Sequence, residues 1–209
     1  MRRLVPALLL LLAVFPAEGR EDKPAPAKED AFLTDDLSGW EGMIKEFWTY
    51  KDGVLVGNSG EKGIKFNTFL CSKRKYKDFE LSFKVKLRDG SGNSGVQVRS
   101  KVDDKKVFAV AGPQCDIGAG YWGSVYGERF GDKLLLTASK ESQKSVKAKD
   151  FNDYRIVVKG DTIKVTINGT EMVDGKIEKM PEDGIIAFQL HGGDPMEVTF
   201  KDIVFKELK

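Results

Sequence analysis

The chain has little of what most zinc sites and nucleic-acid-binding surfaces require. Its 209 residues include one histidine and two cysteines, which excludes a zinc site built from several such ligands. Lys and Arg number 34 and Asp and Glu number 32, so a formal net charge of +2 provides no strongly basic surface for nucleic acid or an anionic membrane. A Ser-His-Asp hydrolase would have a single candidate base, His191. A hydrophobic fraction of 41% excludes a wholly disordered chain.

Long hydrophobic runs are also scarce, and the most prominent one lies at the N-terminus. Two arginines precede an apolar run from Leu4 to Phe15, which is too short to span a bilayer comfortably. Small residues at Ala17 and Gly19 match the positions that a signal peptidase reads. The pattern predicts a signal peptide over residues 1–19 and export to the periplasm or the extracellular space. An uncleaved membrane anchor is disfavoured because the run is short, so no membrane attachment is expected after cleavage.

The segment that follows, residues 20–31, is rich in Pro, Ala and charged residues and has little to bury. This composition predicts a flexible linker ahead of one folded domain over residues 32–209.

The two cysteines, Cys71 and Cys115, allow two interpretations. In an oxidising compartment they would be a candidate disulfide, which would stabilise the fold by about 3–4 kcal/mol. Alternatively, both are small buried hydrophobic residues that never meet. The sequence favours neither.

The folded part of the sequence alternates between hydrophobic and polar residues at the period of a β-strand. From Phe79 to Leu87 every second residue is hydrophobic, which is typical of an antiparallel strand with one buried face. Asn168-Gly169 is a strong signal for a hairpin turn. Roughly ten to twelve short strands separated by turns predict an all-β, two-sheet antiparallel β-sandwich. Its interior is expected to contain Phe79, Leu81, Phe83, Val85, Val96, Val98, Ile156, Val158, Ile163, Val165, Ile167, Phe188 and Leu190.

Three of the predicted strands carry unusual polar residues on the face opposite the core. Each contributes two hydrogen-bonding side chains at positions i and i+2, which the pleat puts on one side of the strand. Amides, a guanidinium, a carboxylate and an imidazole together suit a ligand with many hydroxyl groups. The alternative is that they are separate surface residues on strands that are not neighbours. Three pairs favour one site, and they are Gln97 with Arg99, Gln114 with Asp116, and Gln189 with His191.

An aromatic segment follows the Asp116 strand directly. Tyr121 and Tyr126 are expected at the rim of the site, where they could stack on the apolar C–H face of a sugar. Trp122 is a third candidate, although core packing explains it equally well. Glu128 adds a second carboxylate, which with Asp116 could serve as a general acid and base.

Short motifs occur in order along almost the whole folded domain. They are Asp36–Trp40, Asp52–Leu55, Tyr76–Leu81, Gly92–Val96, Gln114–Gly118, Tyr121–Gly123, Gln189–Gly193 and Phe200–Ile203. Together they resemble the family of 3-keto-disaccharide hydrolase domains over about residues 32–208. The resemblance implies a concanavalin-like jelly roll, in agreement with the strand pattern, and action on an oxidised (3-keto) disaccharide or glycoside.

The implied chemistry requires a base, an enolate stabiliser and an acid. A C3 ketone acidifies the proton at C2, so a base can remove it, the C1 substituent leaves by elimination, and water adds back. On this chain Asp116 or His191 would be the base, Arg99 with Gln114 would stabilise the enolate, and Tyr126 or Glu128 would be the acid. Asn93, Gln97, Tyr121, Trp122 and Gln189 would complete the substrate-binding set.

Two further points stay open in the sequence. A divalent cation such as Ca²⁺ could be held by the oxygens of Asp116 and Glu128, although no compact calcium-binding loop is present. A non-catalytic carbohydrate-binding module is the main alternative to an enzyme, because this kind of fold hosts both lectins and hydrolases. A structural envelope protein without a ligand is a third interpretation, which the polar pairs disfavour.

Overall fold

A computed structural model describes residues 32–209 of the chain. The predicted signal peptide and linker, residues 1–31, lie outside the described residues. Within the described part, none of the helices is long and apolar enough to cross a membrane. One short α-helix, α1 (Ile44–Phe47), and two 3₁₀ turns, Arg88–Gly90 and Ser142–Ser145, accompany fourteen strands in this part of the chain. In chain order these are β1 (Trp40–Glu41), β2 (Trp48–Lys51), β3 (Val54–Asn58), β4 (Thr68–Ser72), β5 (Phe79–Leu87), β6 (Asn93–Asp104), β7 (Ala109–Gly118), β8 (Val125–Glu128), β9 (Leu134–Leu136), β10 (Asn152–Lys159), β11 (Thr162–Ile167), β12 (Thr170–Lys176), β13 (Ile185–Leu190) and β14 (Glu197–Glu207).

The strands form two seven-stranded sheets, and every strand pair in them is antiparallel. The front sheet has the order β1-β4-β13-β6-β7-β8-β9, and the back sheet has the order β12-β11-β10-β5-β14-β3-β2. Many neighbours in a sheet are far apart in sequence, so the chain crosses repeatedly between the sheets in the manner of a jelly roll. The predicted antiparallel β-sandwich is confirmed.

The core lies between the two sheets. All thirteen residues predicted for the interior are buried, and all belong to one hydrophobic cluster. Phe188 of the front sheet contacts two rings of the back sheet, with centroid distances of 6.4 Å to Phe83 and 4.9 Å to Phe200. The inward faces of the strands were therefore predicted in the correct register.

Local backbone geometry confirms the predicted hairpin turn and shows an irregularity in the last strand. Asn168 and Gly169 both have positive φ, 50° and 79°, as expected for the hairpin between β11 and β12. The pairing of β14 with β5 shifts register between Lys201 and Val204, and Asp202 within that interval has a φ of 53°. The alternation of the last strand is accordingly interrupted at this point.

A β-bulge in β6 overturns one prediction. The pairing with β7 shifts between Gln97 and Lys101, and Arg99 within that interval has a φ of 45°. Because the strand turns over at the bulge, the Arg99 side chain points away from the face that carries Gln97. The prediction that these two residues share a face is wrong.

The Arg99 guanidinium lies at one end of the sandwich, beside loops that adjoin strands of the back sheet. It forms an ion pair with Asp78, which directly precedes β5. Its remaining hydrogen bonds go to backbone carbonyl oxygens. These acceptors are Lys77 O, Gly160 O at 2.6 Å and Pro181 O at 3.1 Å. Arg99 therefore joins three loops of the fold and takes no part in the cavity described below.

The cysteines lie on opposite faces of the front sheet. Cys115 belongs to the core between the sheets, whereas Cys71 belongs to a second cluster with Phe69 and Ala187 on the outer face. Strands β13 and β6 separate their strands, and neighbouring strands are about 4.8 Å apart. The two Cα atoms are thus well beyond the roughly 7 Å that a disulfide allows. Both thiols are free, and burial raises the pKa of each.

Candidate functional site

The outer face of the front sheet brings polar residues of three adjacent strands together. In the β6–β7 register, Asn93 lies opposite Gly118, Gly95 opposite Asp116 and Gln97 opposite Gln114. Ala187 of β13 lies opposite Gln97, and the same register places Gln189 opposite Gly95. Two of the three predicted pairs, together with Gln97, therefore do lie on one face of neighbouring strands.

Gly95 occupies the middle of this arrangement, and the Gln114 side chain fills the space that a side chain at this position would take. A Cβ atom at this position would lie 2.6 Å from Cδ of Gln114. The Gln114 side chain thus extends over the Gly95 backbone, where any larger residue would displace it. This lets Gln114 reach from β7 across β6 toward β13.

Gln114 is the centre of a buried hydrogen-bond network, which we call the polar floor. Its Nε2 atom donates to Asp116 Oδ1 at 2.9 Å and lies 3.4 Å from Gln189 Oε1. Behind it, the amides of Gln97 and Gln114 lie 3.1 Å apart, and the Ser100 hydroxyl lies 2.7 Å from the Gln97 amide. Buried networks of this kind restrict each member to one orientation.

Asp116 is the titratable group of the polar floor. The side chain is almost completely buried, and burial raises the pKa of this carboxyl to about 7. The Gln114 hydrogen bond opposes the rise, and the negative charge of Glu128 adds to it. The backbone of Asp116 is also fixed, because Tyr154 of the back sheet donates from its hydroxyl to Asp116 O at 3.0 Å.

The polar floor is the base of a cavity of about 480 Å³. Tyr121, about half exposed, and Tyr126 stand at its rim. Nδ1 of His191 lies 2.5 Å from Gly192 O and donates to it, because a carbonyl oxygen can only accept. The lining residues are Asn67, Asn93, Gln114, Asp116, Tyr121, Tyr126, Glu128, Asp132, Leu134, Gln189 and His191.

Two polar atoms of the lining residues are buried without a hydrogen-bond partner among the described residues. One is Nε2 of Gln189, a donor, and the other is Oδ1 of Asn93, an acceptor. Leaving such groups unpaired in a buried position costs about 1–3 kcal/mol each. The cavity is therefore short of one acceptor and one donor that a polar ligand could supply.

Most of the predicted site residues line this cavity, and three do not. Gln97 is fully buried behind Gln114 and supports the floor without lining the cavity. Arg99 points toward the back sheet, as described above. Trp122 is buried in the core between the sheets, so of its two interpretations core packing is confirmed and sugar stacking is wrong. The eight that line the cavity are Asn93, Gln114, Asp116, Tyr121, Tyr126, Glu128, Gln189 and His191.

Three lining residues were missed by the sequence interpretation: Asn67, Asp132 and Leu134. Asn67 donates to Glu128 Oε1 at 3.1 Å and accepts a hydrogen bond from Gly192 N at 2.9 Å, so it connects the rim to the loop after β13. Asn67 is two residues before Phe69 of β4, which lies on the outer face. The alternation of a strand could therefore have predicted that Asn67 lies on the same face. Nothing in the sequence marks the other two.

The cavity does not fit a resident metal ion. Among the residues that the structure describes, no group of three or more His, Cys, Asp or Glu side chains is arranged to hold one. Ca²⁺ takes six to eight oxygen ligands, whereas one oxygen of Asp116 already accepts a hydrogen bond from the Gln114 amide.

Comparisons with known proteins bear on the whole folded part of the chain. A family model described as the 3-keto-alpha-glucoside-1,2-lyase-like domain matches residues 30–206. No curated protein matches the sequence. Among solved structures, a protein of Parabacteroides distasonis described as a proposed glycosyl hydrolase is similar with a TM-score of 0.60 and 22% identity, covering 84% of this chain and 97% of that one.

Two further structures with a similar fold are described as a carbohydrate-binding module and a lectin-like domain. A carbohydrate-binding module of Bacillus subtilis is similar with a TM-score of 0.58 and 15% identity, covering 84% of this chain and 99% of that one. A legume lectin-like domain of Entamoeba histolytica has a TM-score of 0.52 and 16% identity, covering 81% and 89%. At these identities the likeness is one of fold.

Proposed function

The chain belongs to the family of 3-keto-alpha-glucoside-1,2-lyase-like domains, and we propose that it cleaves glycosides whose C3 hydroxyl has been oxidised to a ketone. The observation that carries the proposal is the polar floor. In it, Gln114 contacts both the buried carboxylate of Asp116 and the amide of Gln189, whose nitrogen has no partner in the described part of the chain. Proton removal next to a ketone requires a base and a donor for the developing oxyanion in close proximity.

Asp116 is the proposed base. Its Oδ1 atom accepts from Gln114, and Oδ2 has no hydrogen-bond partner among the described residues. A carboxyl with a pKa of about 7 is a stronger base than an ordinary aspartate, and about half of it is ionised at neutral pH. In the proposed step, Oδ2 removes the C2 proton, and the electron pair moves onto the C3 oxygen as an enolate.

Elimination then breaks the bond between C1 and the glycosidic oxygen. The enolate re-forms the C3 ketone, a C1–C2 double bond appears, and the leaving oxygen takes the electron pair and a proton. Tyr126 is the proposed donor of that proton, because it lines the cavity and an ordinary phenol is protonated at neutral pH. Burial and the charges of Asp132, Glu128 and Asp116 raise its pKa, so it gives up the proton only as the leaving oxygen becomes basic. Glu128 is less suited, since its Oε1 accepts a hydrogen bond from Asn67.

Water adding across the double bond would give the free 3-keto-sugar and complete a hydrolysis. His191 at the cavity wall is the proposed base for this water, through its Nε2 atom. If release of the unsaturated sugar is faster than hydration, the protein acts as a lyase. The predicted signal peptide further supports action outside the cytoplasm, which we propose as the location.

A carbohydrate-binding module without catalysis is the second candidate. The favouring observation is that a carbohydrate-binding module of Bacillus subtilis matches over 99% of its own length. The same cavity, with its amides and rim tyrosines, would then bind an intact glycan.

Incubation with a 3-keto-disaccharide and with its unoxidised parent separates the two candidates. We expect monosaccharide or unsaturated sugar from the keto form alone, and loss of that turnover in Asp116→Asn. Asp174→Asn, an exposed carboxylate on β12, is the matched control and should keep full turnover. Tight binding of the parent with no turnover of either compound would establish the binding module instead.

A further inference from the structure

The two unpartnered atoms of the cavity point to how the ketone is recognised. Gln189 Nε2 and Asn93 Oδ1 are both buried, and both residues belong to the outer-face rows of adjacent strands. We propose that Gln189 Nε2 is the oxyanion donor for the C3 oxygen and that Asn93 Oδ1 accepts a hydrogen bond from a neighbouring hydroxyl. The assignment rests on the proposed function and identifies the substrate as an α-hydroxyketone of a sugar ring.

The connection through Gln114 is the first reason. The Gln114 Nε2 atom lies 2.9 Å from Asp116 Oδ1 and 3.4 Å from Gln189 Oε1, so one amide orients both side chains. In the substrate, the proton at C2 and the oxygen at C3 are on adjacent carbons. A base and an oxyanion donor held by the same neighbour match this arrangement.

The fixed orientation of the Gln189 amide is the second reason. Because its Oε1 faces the Gln114 amide nitrogen, the Nε2 end is the one left without a partner. An amide nitrogen can only donate, so it is complementary to a carbonyl oxygen and more so to an enolate. The donor assigned from the sequence, Arg99, is committed to Asp78 and three backbone carbonyls.

The two atoms should affect different kinetic constants. Negative charge develops on the C3 oxygen only as the C2 proton leaves, so the Gln189 donor acts mainly on the rate of proton removal. The hydroxyl bound by Asn93 does not change charge, so this acceptor contributes about equally before and during the reaction. It should act on binding alone.

Hydrogen exchange in D₂O measures proton removal without cleavage. The probe is 1,5-anhydro-3-keto-glucitol, a 3-keto-sugar whose C1 carries only the ring oxygen and no exocyclic leaving group, and exchange at C2 is followed by NMR. We expect exchange by the wild type, a rate lowered about 10²–10³-fold in Gln189→Met, and probe affinity lowered less than about 10-fold. Asn93→Ala should weaken probe binding about 3–10-fold and leave the saturated exchange rate unchanged.

Two controls make the outcome decisive. Gln143→Met removes a glutamine that donates to Trp122 O outside the cavity and should exchange like the wild type. If Gln189→Met does not fold, Gly95→Ala displaces the Gln114 side chain by steric contact and should also slow exchange. Wild-type rates in a folded Gln189→Met variant overturn the donor assignment alone. Absence of both exchange and disaccharide cleavage with the wild type overturns the proposed function and the assignment with it.

Discussion

The two sheets present similar faces to each other and different faces to the outside. Along β5 of the back sheet, buried and partly exposed residues alternate strictly, and its outer side chains form ion pairs such as Lys84–Asp202 and Arg155–Glu80. Along β7 of the front sheet, all ten residues are buried. One sheet therefore has an ordinary solvated face, and the other has a second buried face that contains the polar floor.

The difference shows on which face of a β-sandwich polar residues indicate a functional site. On the back sheet, Lys and Glu at outward positions are adequately explained by contact with water. On the front sheet, Gln97, Gln114 and Gln189 are buried, and contacts of the Gln114 amide connect all three. Burying an amide costs free energy of folding unless the amide is hydrogen-bonded. A buried face with several amides is therefore the part of the fold to which a site can be assigned.

Truncation of the shared core should have the largest effect, and it should be equal for both sheets. Phe188→Ala and Phe83→Ala each remove a buried ring, and the two rings contact each other across the sheets. We expect each to lower the free energy of unfolding by about 4 kcal/mol in chemical denaturation. Val204→Ala, an exposed position, should change it by less than about 0.5 kcal/mol. A large difference between the two phenylalanine variants would contradict a core shared equally by the sheets.

Removal of the Arg99 guanidinium should destabilise the fold without affecting the cavity. Arg99→Met leaves Asp78 without its ion-pair partner and three carbonyls without a donor, which we expect to cost about 3 kcal/mol. At a temperature where the variant is folded, kcat/KM on a 3-keto-glycoside should equal that of the wild type. Loss of turnover in the folded variant would contradict this prediction and would mean that Arg99 takes part in the site.

Removal of the Asp116 charge should stabilise the protein at neutral pH. The pKa of this group is raised from 3.8 in the unfolded chain to about 7 in the folded one, so the folded state opposes ionisation. Wild-type stability contributed by this group is present below about pH 4 and is lost as pH rises toward 7. Asp116→Asn should therefore be more stable than the wild type by roughly 2–3 kcal/mol at pH 8 and by little at pH 4. Denaturation of both proteins across this pH range checks the sign, and a less stable variant at pH 8 would contradict the burial of the charge.

The outer face of the back sheet should be nearly insensitive to the loss of an ion pair. Lys164 contacts Glu171 and Asp174 at 2.6 and 2.9 Å, and all three side chains are substantially exposed. Lys164→Ala is expected to change the free energy of unfolding by less than about 1 kcal/mol, with the difference disappearing at high salt. A larger, salt-independent change would mean that this face, too, has a specific structural role.

The sequence predicted the fold better than it predicted the site, for identifiable physical reasons. Hydrophobic alternation determines which face of a strand is buried, so Phe79 to Leu87 and the inward valines of β6 were assigned correctly. The pleat also put Gln114 and Asp116 on one side of their strand. Which strands are neighbours depends on long-range pairing, and the adjacency of β13, β6 and β7 became known only from the structure.

The errors have causes that are not encoded in local pattern. The bulge at Arg99 requires a positive φ at a residue type that seldom adopts one, so nothing in the sequence indicates it. Trp122 follows an exposed tyrosine yet turns into the core, which a loop sequence cannot reveal. Gln189 was assigned to substrate binding, but its unpartnered amide nitrogen is visible only once the network around Gln114 is known.

The central claim is that Asp116, in its ionised form, is the base of a reaction in this cavity. The pH dependence of kcat/KM on a 3-keto-disaccharide, corrected for the uncatalysed rate, tests it most directly. Because the ionised carboxylate removes the proton, we expect kcat/KM to rise with pH and to level off above about pH 7 for the wild type and for Asp174→Asn. Asp116→Asn should show neither the activity nor the rise. A wild-type profile that is flat between pH 5 and 8, or that falls through pH 7, would contradict the account.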